Sequence, residues 1–303
     1  TAAFTSTTSV CVTGLVVVDT FSYWSLFGKG VILILIQIGG LGIVSIITLF
    51  MLLLRMKITL KSTMLLQDAF NLNSKQGLLK FTIKVIKGTF LIEGIGALIY
   101  SFYYCREYGF LKGIWFSVFH AVSAFCNAGI DIMGADSLIS YHSNLLMMLN
   151  TSFLIIMGGI GFIVWWDTVE AFRRIRTKRC SIRSAWNGVH LQTKIAIFMT
   201  LLLLIGGTIV IYFLERSNPD TLGNLSEKDR ILNAFFQSVT FRTAGFAAVS
   251  QVALRPVTAF FGVLLMMIGG SPVGTAGGMK TVTIAVIFYT FAAMIRNHED
   301  TEV

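Results

Sequence analysis

The sequence predicts an all-α membrane protein built from tandem repeats, each an outer helix, a short re-entrant helix, a tight turn and an inner helix. Three observations predict it. The first is composition: of 303 residues, 55% are apolar and 13% charged, where a soluble domain carries roughly 25% charged residues, and mean hydropathy is +0.76. The second is a set of long uncharged runs, 31–54, 145–166, 195–214 and 257–279, each able to supply the roughly 20 residues a helix needs to cross a bilayer. The third is self-similarity. A short apolar helix running into a glycine turn occurs at 4–15, 116–130 and 235–246, and the turn glycines Gly14, Gly129 and Gly245 stand 115 and 116 residues apart. Each is followed some 25 to 30 residues later by a glycine pair in an apolar run: Gly39-Gly40, Gly158-Gly159 and Gly269-Gly270. A fixed period of this kind marks a repeat architecture.

The formal net charge of +9 invites a nucleic-acid reading, but its placement argues against one. Lys and Arg gather in three places, from Arg55 to Lys87, from Arg173 to Lys194 and near Arg296, while the loops around 131–136 and 215–230 are neutral to mixed. That is the positive-inside pattern, and it puts the basic segments in the cytoplasm. The four cysteines, Cys11, Cys105, Cys126 and Cys180, show no CxxC spacing and no pairing framework, so they read as free thiols or packing residues. The first 15 residues are small and polar without a basic start and do not read as a signal peptide.

Taken in order, 1–56 reads as repeat 1, with short helix, turn and inner helix but no outer helix; 57–80 as a cytoplasmic link; 81–170 as repeat 2; 171–190 as a basic cytoplasmic link; and 191–297 as repeat 3. The expected spans are 31–54, 88–104, 145–166 and 195–214. The short segments cannot span: a dozen helical residues rise about 18 Å, well under the roughly 30 Å of hydrocarbon. The turns therefore dip in from the outer face. Non-helical backbone at that depth is tolerated only where protein buries it or where it lines a water-filled cavity.

The physical reading is a cation pore with a potassium-channel-like repeat. Glycine in the turn allows positive φ, which lets successive carbonyls point one way, and rings of carbonyls replace the hydration shell of K⁺. A short helix aimed at the pore presents its negative carboxyl end to the cation. The filter is expected at Val12, Thr13, Gly14 and Leu15, at Asn127, Ala128, Gly129 and Ile130, and at Thr243, Ala244, Gly245 and Phe246. Thr13 and Thr243 suit such a lining, with Asn127 a tolerable substitute.

The run 257–295 is uncharged apart from Lys280, nearly twice a normal span. Gly269, Gly270, Ser271, Pro272, Gly274, Thr275, Gly277 and Gly278 fall in its middle. This inner helix is expected to break near mid-membrane into an irregular loop below the filter that obstructs the path, with Thr275 offering a hydroxyl to it. Lys280 either adds a positive barrier or snorkels to the cytoplasmic surface.

On these residues the chain resembles the Trk/Ktr/HKT superfamily of potassium transporters, and most closely the bacterial Ktr-type membrane subunit. The stretches that carry the resemblance are Val12-Thr13-Gly14-Leu15, Gln37-Ile38-Gly39-Gly40, Cys126-Asn127-Ala128-Gly129, Arg242-Thr243-Ala244-Gly245-Phe246 and 269–281. It extends over essentially the whole chain. The resemblance implies four such units around one pore per chain, two chains as a homodimer in the bacterial cytoplasmic membrane, and a cytosolic ring of nucleotide-binding regulatory subunits. It implies K⁺ as the transported ion, with Na⁺ as a coupling or activating ion left open and any nucleotide held by the partner. Gly14 implies K⁺ selectivity, since some relatives carry serine there and favour sodium. Cys11, Cys126 and Pro272 depart from the commonest pattern, and Pro272 bears on the loop's gating.

Other polar residues carry two readings each. Arg242, just before the third turn, either braces the filter through a carboxylate not identifiable from sequence or reaches water outside; a charge at that depth is usually paired. Glu93, in an outer span, is either functional or a structural hydrogen bond to a neighbouring helix. His120 reads as a packed histidine, since no ligand-spaced partners accompany it. Asp19, Asp131 and Asp136 follow the turns and either make the outer mouth negative or are solvated loop residues. The basic stretch 173–179 contacts anionic lipid headgroups or docks a regulatory subunit. No nucleophile with its base, metal cluster or cofactor motif points to an enzyme. The rival reading is a non-conducting assembly protein whose glycines serve helix packing. Three turns leave a carbonyl ring open on one side, and a fourth glycine is due roughly 115 residues after Gly245. The sequence is therefore expected to be part of a longer native chain, lacking about one outer helix at the front and nearly a whole fourth repeat at the back.

Overall fold

The computed structural model describes residues 1–42, 75–134, 136–178 and 181–296. Outside them lie the inward half of the first expected inner span, the link over 57–80 up to residue 74, Arg179 and Cys180. The described residues are helical, with one isolated β-bridge between Ile268 and Met279. The chain divides into two compact units, Thr1–Gly158 with Ala244–Ala248, and Gly159–Thr243 with Val249–Val303.

In the first unit a short helix, Ala2–Val10, precedes the first turn and a longer one, Leu26–Leu41, follows it. Asp19 caps the small helix Thr20–Tyr23 by accepting from the Phe21 and Ser22 amides, and Ser25 caps Leu26–Leu41 by accepting from Gly28 N at 3.2 Å; both supply acceptors to otherwise orphaned amides. The helix Lys75–Tyr108 contains an apolar stretch of 28 residues, Phe81–Tyr108, long enough to cross a membrane. It turns back at Gly109 (φ +82°) into the short helix Phe110–Phe125. The two pack so closely that a Cβ on Gly113 would lie 2.4 Å from Cys105 Cα. Only glycine allows that approach. Helix Leu145–Gly159 is tied to the span by Tyr100–Thr151 (2.6 Å) and by Asn150 Nδ2 donating to the Gly96 carbonyl (3.1 Å).

The second unit comprises Phe162–Lys178, Ile182–Asn187, Leu191–Glu215, a π turn at Pro219–Gly223, the short helix Glu227–Thr240, and the pair Pro256–Met267 and Thr281–Ile295. Leu191–Glu215 is the other described helix long and apolar enough to span. Ser226 caps Glu227–Thr240, and Glu227 and Asp229 stand in its first turn, where the helix dipole favours negative charge. Ile211, Leu222, Ala234, Phe241, Val249 and Leu265 form its core.

The repeat is legible residue by residue in the two outer spans. The first buries Thr82, Val85, Thr89, Glu93, Gly96, Tyr100 and Tyr104; the second buries Thr193, Ala196, Thr200, Leu204, Gly207, Ile211 and Glu215. The offset is 111 residues at every position. The i+3/i+4 spacing is one helix face, but most of it is small or polar, Val85, Leu204 and Ile211 aside, while Phe90, Leu91, Leu98 and Phe102 on one span and Phe198, Leu202, Ile209 and Phe213 on the other are exposed. Lipid in place of water around the helix accounts for this inversion.

The expected span over 145–166 is not one helix. It stops at Gly159 and restarts at Phe162. Gly161 takes φ +95°, and the freed backbone is paired, with Ser271 N donating to Gly159 O (2.8 Å) and Phe162 N donating to Val273 O (3.0 Å). The glycine run Gly158-Gly159-Ile160-Gly161 permits the break, and partners distant in sequence decide it.

Candidate functional site

The three turns share one backbone figure. Val12, Asn127 and Thr243 have φ of +52°, +57° and +65°, and two residues on Gly14, Gly129 and Gly245 have +77°, +62° and +83°. Left-handed backbone is ordinary for glycine and Asn but an outlier for β-branched Val and Thr. Strain of this kind persists only where the surroundings over-determine it. Because the figure begins two residues before each glycine, Val12 is the counterpart of Asn127 and Thr243. Thr13 stands one position later, level with Ala128 and Ala244. The preceding helices end alike: Thr13 N donates to Thr8 O and Ala128 N to Ser123 O, both at 2.9 Å. The hydroxyl six residues before the glycine steadies the residue after it in two turns, with Leu15 N donating to Thr8 Oγ1 (3.1 Å) and Ser123 Oγ donating to Ile130 O (2.5 Å). Val239 holds that place in the third.

The turn glycines meet. A Cβ on Gly14 would fall 2.7 Å from the Ala128 carbonyl oxygen, and one on Gly245 would fall 3.0 Å from Gly129 Cα. All three line a cavity of about 380 Å³, with Asp19, Asp131, Gly134 and Ser137 on its wall. The Ser22 hydroxyl, donating to Asp19 Oδ2 at 2.6 Å, holds the Asp19 carboxyl below its usual range; burial, with Asp19's charge adding to it, pushes Asp131 above. Asp136 is exposed and lines no part of this cavity.

Behind the turns, the glycine pair of the first inner helix is a seat. A Cβ on Gly39 would lie 2.1 Å from Val10 O, and one on Gly40 2.2 Å from Cys126 Sγ. Glu93 is buried beside Cys126; its Oε1 accepts from Gln37 Nε2 (3.1 Å) and faces the Cys126 thiol (3.9 Å), while its Oε2 has no hydrogen-bond partner among the described residues. His120 is buried among the rings of Tyr100 and Phe246, at centroid distances of 4.9 and 5.0 Å. Among the described residues no His, Cys, Asp and Glu cluster could hold a metal.

The third inner run is two helices joined by a loop over 268–280. Its neck is closed by backbone bonds, Gly269 N to Met279 O (3.1 Å), Met279 N to Met267 O (2.9 Å) and Thr281 N to Gly270 O (3.1 Å). The expected carboxylate behind Arg242 is absent among the described residues. Arg242 is 5% exposed and donates from Nη2 to the Gly269 carbonyl at 3.2 Å, so carbonyl dipoles of the loop take the place of an anion. Thr243 Oγ1 accepts from Gly277 N at 2.9 Å. Lys280 does not extend away from the loop; its Nζ donates back to Ala276 O at 2.8 Å.

Sequence reasoning missed Glu215. Fully buried at the end of its span, it accepts from Asn218 Nδ2 (2.7 Å), Thr221 Oγ1 (2.6 Å), Arg255 N (3.0 Å) and Thr258 Oγ1 (2.5 Å), tying the outer turn to the start of Pro256–Met267. Its sequence signal was an acid at the end of an apolar run.

Residues 1–303 match the TrkH family, described as cation transport protein. The chain is similar to the Potassium/sodium uptake protein NtpJ of Enterococcus hirae, 40% identical over 97% of this chain and 62% of that protein. It is similar to the Ktr system potassium uptake protein B of Bacillus subtilis, 39% identical over 99% of this chain and 64% of that one. It thus spans a little under two thirds of the length of these relatives. Its fold is similar to the crystal structure of the potassium transporter TrkH from Vibrio parahaemolyticus, with TM-score 0.67 and 16% identity over 97% of this chain and 55% of that one. Re-entrant helices repeated around converging glycine turns, on a chain matched from end to end, have one reading: this chain belongs to the TrkH family of cation transport proteins.

Proposed function

We propose that the chain forms part of a pathway for potassium uptake across the bacterial cytoplasmic membrane. The observation that carries this reading is the cavity where Gly14, Gly129 and Gly245 converge beside Asp19 and Asp131. Paired left-handed residues in each turn direct carbonyls to one side, and carbonyls so arranged replace an ion's hydration shell. The filter comprises Val12 to Leu15, Asn127 to Ile130 and Thr243 to Phe246. The loop from Gly269 to Lys280, including Ser271, Pro272, Gly274, Thr275 and Gly278, is the gate, and Arg242 supports the third turn. A homodimer on a cytosolic ring of nucleotide-binding regulatory subunits completes the proposal. The names of the two relatives favour K⁺ as cargo, and that of NtpJ brings in Na⁺ as well.

The rival, a packing protein, accounts for Gly39, Gly40 and Gly113 but not for three left-handed turns around one cavity. The test is growth of a potassium-uptake-deficient bacterium at low K⁺ with the full-length protein, paired with rubidium tracer flux with and without Na⁺. Rescue and saturable flux are expected; a well-expressed protein giving neither would favour the rival.

A further inference from the structure

We propose that Thr243 is a positioning residue that latches the intramembrane loop to the third turn, so that the loop leaves the ion path only when the Gly277–Thr243 hydrogen bond breaks. The inference rests on the proposed gating reading and adds the residue that holds the gate.

Three observations carry it. Thr243 Oγ1 accepts from the Gly277 amide at 2.9 Å, a bond spanning 34 residues and joining turn to loop directly. The next residue back, Arg242, donates to Gly269 O at 3.2 Å, so two consecutive residues grip both ends of the loop. Thr243 also holds φ +65°, a costly conformation for a β-branched residue. A threonine here fixes its hydroxyl with few rotamers, and residue 277 lies against it, since a Cβ there would sit in ordinary contact at 3.8 Å from Thr243 Oγ1. The loop is built to move as a piece. Gly270 N bonds Gly277 O at 3.3 Å, and a Cβ on Gly269 would lie 3.1 Å from Gly278 Cα. The neck therefore stays closed whether or not the body is latched, and deleting 270–277 joins residues already in contact.

The experiment is a double-mutant cycle in the full-length protein, reconstituted in liposomes and read by rubidium flux and by K⁺ over Na⁺ preference. Thr243→Val keeps the β-branched shape and removes the acceptor; Thr243→Ser keeps it. The loop deletion is expected to raise flux several-fold. Thr243→Val is expected to raise flux at least threefold, Thr243→Ser, which keeps the acceptor, to raise it less than Thr243→Val, and Thr243→Val in the loop-deleted protein to raise it no further. If the deletion fails to raise flux, the gating reading falls and the latch with it. If the deletion raises flux but Thr243→Val leaves it unchanged, or lowers K⁺ preference equally with and without the loop, the hydroxyl acts inside the filter and the latch is overturned. Should Thr243→Val not assemble, Gly277→Pro removes the donor from the other side and must raise flux likewise; no rise there overturns the proposal.

Discussion

Gly129 and Gly245 meet backbone to backbone: a Cβ on Gly129 would lie 2.7 Å from Gly245 Cα and 2.7 Å from the Ala244 carbonyl oxygen. Their turns have no space for a side chain, and Gly129 is left-handed as well, at φ +62°. A non-glycine residue held there costs about 1–3 kcal/mol before any collision is counted. Gly129→Ser is expected to lower K⁺ over Na⁺ preference about tenfold, since roughly 1.4 kcal/mol corresponds to that factor. Gly14→Ser and Gly245→Ser should act in the same direction. Flux competition between rubidium and sodium checks this; unchanged preference in all three variants would remove the filter assignment.

Asp131 is expected to set the acid sensitivity of the cavity at the turns. Burial raises its carboxyl above the usual range, while the Ser22 hydroxyl depresses that of Asp19. As external pH falls, Asp131 takes up its proton first and the cavity loses that charge while Asp19 keeps its own. K⁺ KM is therefore expected to rise on acidification toward the carboxylate range. Asp131→Asn should raise KM at neutral pH by roughly twofold to tenfold, the low end of electrostatic focusing, and flatten the pH profile. A pH series of uptake kinetics decides it, and an unchanged profile in Asp131→Asn counts against the role.

Glu215 holds four donors from two segments, 218–221 and 255–258. Glu215→Ala takes the acceptor from Thr221 Oγ1, Thr258 Oγ1 and Arg255 N, while Asn218 Nδ2 keeps the Ala253 carbonyl, a loss of about 3 kcal/mol or more at about 1–3 kcal/mol per stranded group. The melting temperature in detergent should fall by roughly 6–12 °C. Glu215→Gln keeps acceptor capacity and should lose less. Equal melting of Glu215→Ala and the parent would mean the network contributes nothing.

Glu93 occupies the place that Leu204 takes in the other outer span, so a leucine fits that face of the helix. Glu93→Leu strands Gln37 Nε2 and should destabilise the protein by about 1–3 kcal/mol. Glu93→Gln keeps an acceptor for Gln37 and should stay close to the parent. Thermal unfolding separates the two; if both variants melt with the parent, the Gln37 bond is dispensable.

Much of the fold was legible in the sequence because a bilayer constrains it so strongly. Uncharged runs announce helices, and a period of about 115 residues announces the repeat. The turn glycines were visible for the same reason: no other residue combines left-handed backbone with so close an approach. The sequence by itself thus determined the class, the repeat and the three turns. Tertiary structure decided what depends on partners far along the chain. It broke the run over 145–166 at Gly161, where residues 271–273 satisfy the freed backbone. It gave Arg242 a carbonyl in place of a carboxylate, 27 residues away, and it made Glu215 a junction of two segments with its own helix. A hydrogen bond of that range leaves no periodic trace in composition or spacing, so only the folded chain reveals it.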